Sequence, residues 1–277
     1  MVAKRYLILP LASAAIVAGC GSSGSSDTGK TAAVAPKPSG GKAGHMMSVD
    51  TGARLAVGAP RPDTVVRATD VPFDVRLSNF DVDCRFAGTP NRAGVGHYHV
   101  ELDGSLINMF CDNRDRVSLQ NVTPGKHTLA FLPADNQHTE DMKAERKVSF
   151  TYRPTKAQPP IKGEEKGKPS IRILSPKPGS TVHGGFDLAV APNNFEFSCA
   201  LYGKKDVPGY GHWHINVDST TKGMMGMATM LGMSCQRTFH VSLAGIKPGR
   251  HTFYAILEDN QHAPTPHAQD SVKLNVR

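Results

Sequence analysis

Two stretches of the chain set histidines two residues apart within an apolar run: Gly94-Val95-Gly96-His97-Tyr98-His99-Val100-Glu101-Leu102-Asp103 and Gly209-Tyr210-Gly211-His212-Trp213-His214-Ile215-Asn216-Val217-Asp218. Neutral imidazole is a nitrogen donor that suits copper and zinc. On an extended strand, residues two apart leave the same face about 6.5–7 Å from each other. His97 with His99, and His212 with His214, therefore form chelating pairs opposite Tyr98 and Val100 or Trp213 and Ile215. Each stretch is followed later by Asp-Asn-Gln-His, at Asp135–His138 and Asp259–His262. A fold that returns this loop to the start of the histidine strand would build two three-imidazole metal sites, His97/His99/His138 and His212/His214/His262. Asp135 and Asp259 stand as a fourth ligand or an orienting group, and the expected ion is copper or zinc. The same residues also fit a polar strand face with a hydrogen-bonded turn, or a small-ligand or glycan pocket.

Sulfur offers a second chemistry. Met224, Met225, Met227, Met230 and Met233 put five thioethers within ten residues. Thioethers ligate Cu(I), or form an adaptable apolar lip against lipid or a partner. With histidines nearby, they move copper ahead of zinc. Cys84, Cys111, Cys199 and Cys235 pair best within each half, Cys84–Cys111 and Cys199–Cys235, the alternative being thiolates on a soft metal. His127 and His251, in Pro-Gly-x-His-Thr, share inward parity with Leu129 and Phe253 and read as structural, each imidazole bonded to a backbone carbonyl. No nucleophile elbow, His-Glu-x-x-His helix, phosphate-binding glycine loop or paired-carboxylate framework is present, which favours a binding protein over an enzyme.

The elements that must position these groups are written twice. Asn79-Phe80, Cys84 and the histidine strand recur 115 residues later, as 97 does at 212; Pro124-Gly125-Lys126-His127-Thr128 and Asp135–His138 recur 124 residues later, as 138 does at 262. The difference is a nine-residue insertion between Asp218 and Cys235, where the methionines lie. Alternation at Phe73, Val75 and Leu77, and at Leu188 and Val190, predicts strands, and only Asp141–Lys147 carries helical periodicity. With 27 Gly and 20 Pro in 277 residues the chain is turn-rich without being low-complexity. About seven short strands per hundred residues predict an all-β chain of two tandem immunoglobulin-like β-sandwiches, over 52–153 and 170–277. The proline-rich segment 154–169 between them reads as a flexible linker.

The N-terminus sets the compartment. Lys4 and Arg5 precede an apolar run too short to span a bilayer stably, followed by Val17-Ala18-Gly19-Cys20. This segment resembles the lipobox of bacterial lipoproteins, which implies a signal peptide over 1–19 and a mature chain lipidated at Cys20. The membrane is then reached through the lipid anchor, outside the cytoplasm, and residues 20–51 form a Gly/Ser-rich tether. The full chain carries a net charge of +8; losing Lys4 and Arg5 leaves 30 basic against 24 acidic residues, +6. Much of that excess lies in the tether (Lys30, Lys37, Lys42) and the linker, which argues for anionic lipid or wall polymer and against nucleic acid.

Gly-x-Gly-His-x-His-x-x-x-Asp, then Pro-Gly-x-His-Thr and Asp-x-x-His, resembles an uncharacterised family of small exported bacterial domains, over Gly94–His138 and again over Gly209–His262. The resemblance implies the domain type and no activity. The strand-borne His-x-His also looks like the first copper ligands of copper/zinc superoxide dismutases, whose bridging histidine, zinc loop and catalytic arginine pattern have no counterpart here. The expected function is that of an envelope lipoprotein binding copper or zinc, with a metal-free envelope interaction or adhesion module as the alternative.

Overall fold

The computed structural model describes residues 48–277; the expected signal peptide, the lipidation at Cys20 and nearly all of the tether lie outside them. The first repeat contains β1 (Arg54–Ala59), β2 (Thr64–Val66), β3 (Asp70–Ser78), β4 (Asp81–Val82), β5 (Val95–Leu102), β6 (Ser105–Phe110), β7 (Arg114–Ser118), β8 (Gly125–Asp135) and β9 (Arg146–Tyr152). The second contains β10 (Ser170–Ser175), β11 (Thr181–Val182), β12 (Gly185–Asn193), β13 (Glu196–Phe197), β14 (Tyr210–Val217), β15 (Met230–Ser234), β16 (Thr238–Ser242), β17 (Gly249–Glu258) and β18 (Pro264–Val276). Each repeat is a β-sandwich, as the alternation predicts: a three-stranded sheet ordered β1-β3-β7 or β10-β12-β16 faces a larger one ordered β2-β9-β8-β5-β4 or β11-β18-β17-β14-β13, with β6 or β15 also paired to the histidine strand. Asp141–Lys147 is not helix: residues 141–145 form a turn, because Asp141 Oδ1 accepts from the backbone of Lys143 and Ala144 and closes the chain locally, and Arg146 and Lys147 already belong to β9.

Pattern and core agree closely. On β3, Val71, Phe73 and Val75 point inward and are buried; on β12, Phe186, Leu188 and Val190 do the same. Phe73 meets Tyr98, Phe110 and Phe131 edge-on at 5.1–6.4 Å between ring centroids. Trp213 fills the matching core, and its indole donates to the Gln236 carbonyl at 2.7 Å. Burying each such ring contributes about 1.5–3 kcal/mol. Cys84–Cys111 and Cys199–Cys235 are disulfides, each tying the short turn after β4 or β13 to the residue that follows β6 or β15.

The insertion replaces a tight turn. In the first repeat β5 and β6 are joined by Asp103 and Gly104, both with positive φ (54° and 82°), the two-residue hairpin that Asp-Gly favours. In the second, Asp218 keeps that φ at 59°, but the chain runs on through a 3-10 segment, Met224–Thr229, before β15 begins. The five methionines do not act as one surface lip. Met224 and Met225 are 68% and 63% exposed, whereas Met230 and Met233 are at 1% and 7% and belong to an apolar cluster shared with the first repeat. Met230 stands across from Asn216 and Met233 from His214, so both face the histidine side of β14.

The linker is not free either. Asn121 accepts from the Ile161 amide and donates to its carbonyl, Gln120 donates to Pro159 O and Gln158 donates to Thr69 O. At the other end of the described chain, Thr51 donates twice to Asp141 Oδ2 at 2.8 Å. Residues 48–277 fall within a single compact unit, so the repeats are docked rather than strung on a flexible segment. Sequence composition missed this because proline and lysine mark a segment that cannot form its own core, not one that lacks partners.

Candidate metal centre

β5 is hydrogen-bonded on both edges, to β8 and β6, and both its faces are covered. Tyr98, Val100 and Leu102 enter the sandwich core; His97 and His99 leave the opposite face and are buried there too. Beyond β8, Asp135-Asn136-Gln137-His138 turns back over this face. Its conformation comes from Asp135, whose Oδ1 accepts from the amides of Gln137 and Thr139 at 2.9 Å while Oδ2 accepts from the Asn91 side chain at 2.6 Å. His138 itself has φ 64°, a left-handed residue at the apex. The second repeat is built alike: Asp259 Oδ1 accepts from Gln261 and Ala263, and His262 has φ 63°.

The rings converge. His97 Nε2 lies 3.1 Å from His99 Nε2 and 3.0 Å from His138 Nδ1, and the last two are 3.4 Å apart. For His212, His214 and His262 the corresponding separations are 3.0, 2.9 and 3.3 Å. Donors at about 2.0 Å from a tetrahedral ion stand about 3.3 Å from each other, so both triangles have the size of one ion's ligand face. Asp135 and Asp259 do not converge with either set; one oxygen of each, Oδ1, accepts from two loop amides and shapes the loop.

Hydrogen bonding at the outer nitrogens fixes what the inner ones can be. His138 Nε2 lies 2.8 Å from the Met230 carbonyl, which requires the proton there and leaves a lone pair on Nδ1. His99 Nδ1 lies 2.7 Å from Glu140 Oε1, which turns Nε2 toward the other two rings. His97 Nε2 stands within hydrogen-bond distance of both nitrogens, and its own Nδ1 is buried without a partner. In the second repeat His262 Nε2 donates to Leu106 O at 2.9 Å, and His214 Nδ1 stands 3.6 Å from Glu258 Oε1. Burial, reinforced by neighbouring histidines, holds His97, His212 and His214 well below the usual imidazole range. Burial also takes His138 to about 3 and His262 to about 4. These imidazoles are neutral and ready to donate electron pairs to a cation. The space between rings whose centroids are 4.5–5.6 Å apart suits a single ion rather than a sugar.

The carboxylates behind the histidines escaped the sequence reading. Glu140 and Glu258 reach the same ring atom of equivalent histidines from non-equivalent positions: Pro264 stands where Glu140 would recur, and Ala134 where Glu258 would. A search for matched residues discards both. Burial, with Asp259 close by, pushes the Glu258 carboxyl up to about 9, so it is protonated at neutral pH. Met109, across from His99, and Met233, across from His214, are matched and place a thioether beside each set.

No protein-family profile matches the chain, and no curated protein does. Among solved structures it is similar to the fibronectin(III)-like modules of Clostridium thermocellum CbhA, at 12% identity over 80% of this chain and 94% of that one, with a TM-score of 0.27. It is also similar to a tetra-tandem repeat from the extending region of a large adhesion protein (9% identity, 81% and 48% covered, TM-score 0.23). A third likeness is to the four N-terminal Ig domains of Dscam1 (10%, 81% and 46%, TM-score 0.23).

Proposed function

We propose that this chain is a lipid-anchored, extracytoplasmic metal-binding protein whose repeats each hold one ion, copper ahead of zinc, on three imidazoles. The observation that carries the reading is the convergence of three ring nitrogens to within 2.9–3.4 Å of one another in each repeat. His97, His99 and His138 would hold one ion, and His212, His214 and His262 the other. Glu140 on His99 is the carboxylate–histidine arrangement that orients a ligating ring. Copper is placed ahead because Met109 and Met233 bring soft sulfur to both sets. The two cystines suit an oxidising compartment, and the segment ending in Cys20 supplies the anchor.

Protein refolded without metal and titrated with Cu(I), Cu(II) and Zn(II) should take up two equivalents, and a His97→Ala/His99→Ala chain one. Absence of stoichiometric uptake would refute the reading. Cys20→Ser should release the chain from the membrane fraction; full retention of a processed Cys20→Ser chain would refute the anchor.

A further inference from the structure

Each histidine set takes one hydrogen-bond partner from the opposite repeat. The third ligand of the first set, His138, is held by the carbonyl of Met230 in the second repeat, and the third ligand of the second set, His262, by the carbonyl of Leu106 in the first. Leu106 and Met230 are equivalent positions, at the start of β6 and β15, so the exchange is reciprocal. Close approach is prepared on both sides by matched glycines. Gly88 (φ 70°) lies where a Cβ would come within 2.6 Å of Met230 O, and Gly203 (φ 65°) lies where one would collide with Leu106 O. Only glycine combines that backbone with that proximity.

A carbonyl on one ring nitrogen fixes the tautomer and rotation of the ring, and so the direction of the lone pair on the other. We infer that each metal site is oriented by the opposite repeat, so that docking of the repeats and occupation of both sites form one coupled equilibrium; this rests on the metal-binding reading above. Leu106 and Met230 are positioning residues that act through their backbone. An ion that needs the docked arrangement stabilises it, and by reciprocity filling one site raises the affinity of the other.

Gly245 supplies the test. It contributes no ligand, has φ 78°, and a Cβ there would lie 2.8 Å from Thr89 Oγ1 and 3.3 Å from the Phe86 ring across the inter-repeat contact. Gly245→Val therefore wedges the repeats apart. Gly184, with φ 68° and open space around it, gives Gly184→Val as a control for backbone strain alone. In full-length protein titrated with Zn(II) against a competing chelator, Gly184→Val should bind like the unmodified chain. Gly245→Val should lose about tenfold or more at both sites, the scale of typical inter-site coupling. In His97→Ala/His99→Ala, the remaining site should weaken several-fold. Unchanged affinity at both sites of Gly245→Val would overturn the coupling. Should that variant not fold, the histidine double variant decides, and an unaltered second site there overturns it as well. An unmodified chain that binds neither zinc nor copper would instead refute the metal reading itself.

Discussion

His127 Nδ1 stands 2.7 Å from Asp103 Oδ2, and His251 repeats the contact with Asp218 at the same distance. The other ring nitrogen of each faces a backbone carbonyl, Thr123 O or Lys247 O, at 2.8 Å. Each aspartate also accepts from the amide of Thr128 or Thr252. The last residue of the Gly-x-Gly-His-x-His-x-x-x-Asp pattern thus belongs to a corner that fastens β8 or β17 to the end of the histidine strand, and the Pro-Gly-x-His-Thr histidine is structural.

Asp103→Ala should consequently lower stability by about 1–3 kcal/mol through the unpaired amide and ring left behind. Metal stoichiometry should stay at two. Denaturant melts alongside metal analysis check this, and loss of an ion would place the corner in the site.

Glu140→Gln should weaken the first site by about 10- to 100-fold, because the carboxylate no longer orients His99. Glu258→Gln should do less at the second, since that carboxyl is already neutral and stands 3.6 Å from its histidine. Competition titrations of the two variants rank the effects.

Met224→Ser/Met225→Ser should alter stability by no more than about 0.5 kcal/mol, as expected for exposed positions. Met230→Ala should cost about 2–5 kcal/mol, since it opens a cavity between the repeats. Thermal melts separate the two outcomes, and a deletion reaching Met230 is not neutral.

Lys204 is buried, and that burial draws its ammonium down to about 8, against the opposing charge of Asp103. Between about pH 8 and 10.4 the unfolded chain holds a proton that the folded chain does not, so stability should rise with pH across that window. Lys204→Met should flatten the rise and add on the order of 1 kcal/mol at pH 7. Chemical denaturation from pH 7 to 10.5 measures both.

The histidine sets were legible because duplication printed them twice at fixed spacing and a two-residue strand period puts each pair on one face. Convergence of His138 and His262 required only that two sandwich loops share an end. Other features left no such trace. Whether Asp135 turns toward a metal or into its own loop depends on amides at Gln137 and Thr139, which every sequence possesses. Glu140 and Glu258 serve equivalent rings from unmatched positions. Docking was hidden because a histidine-bearing strand face reads as solvated, although Leu132 and Ala134 beside it are buried on that same side.

The reciprocal contacts through Leu106 and Met230 give the chain the geometry of a two-fold pair whose partners happen to be covalently joined. Joining partners by a short segment replaces their bulk concentration with a local one on the order of millimolar. A pair of separate copies would come apart on dilution; here the association is set by residues 154–169 and is insensitive to the concentration of the chain.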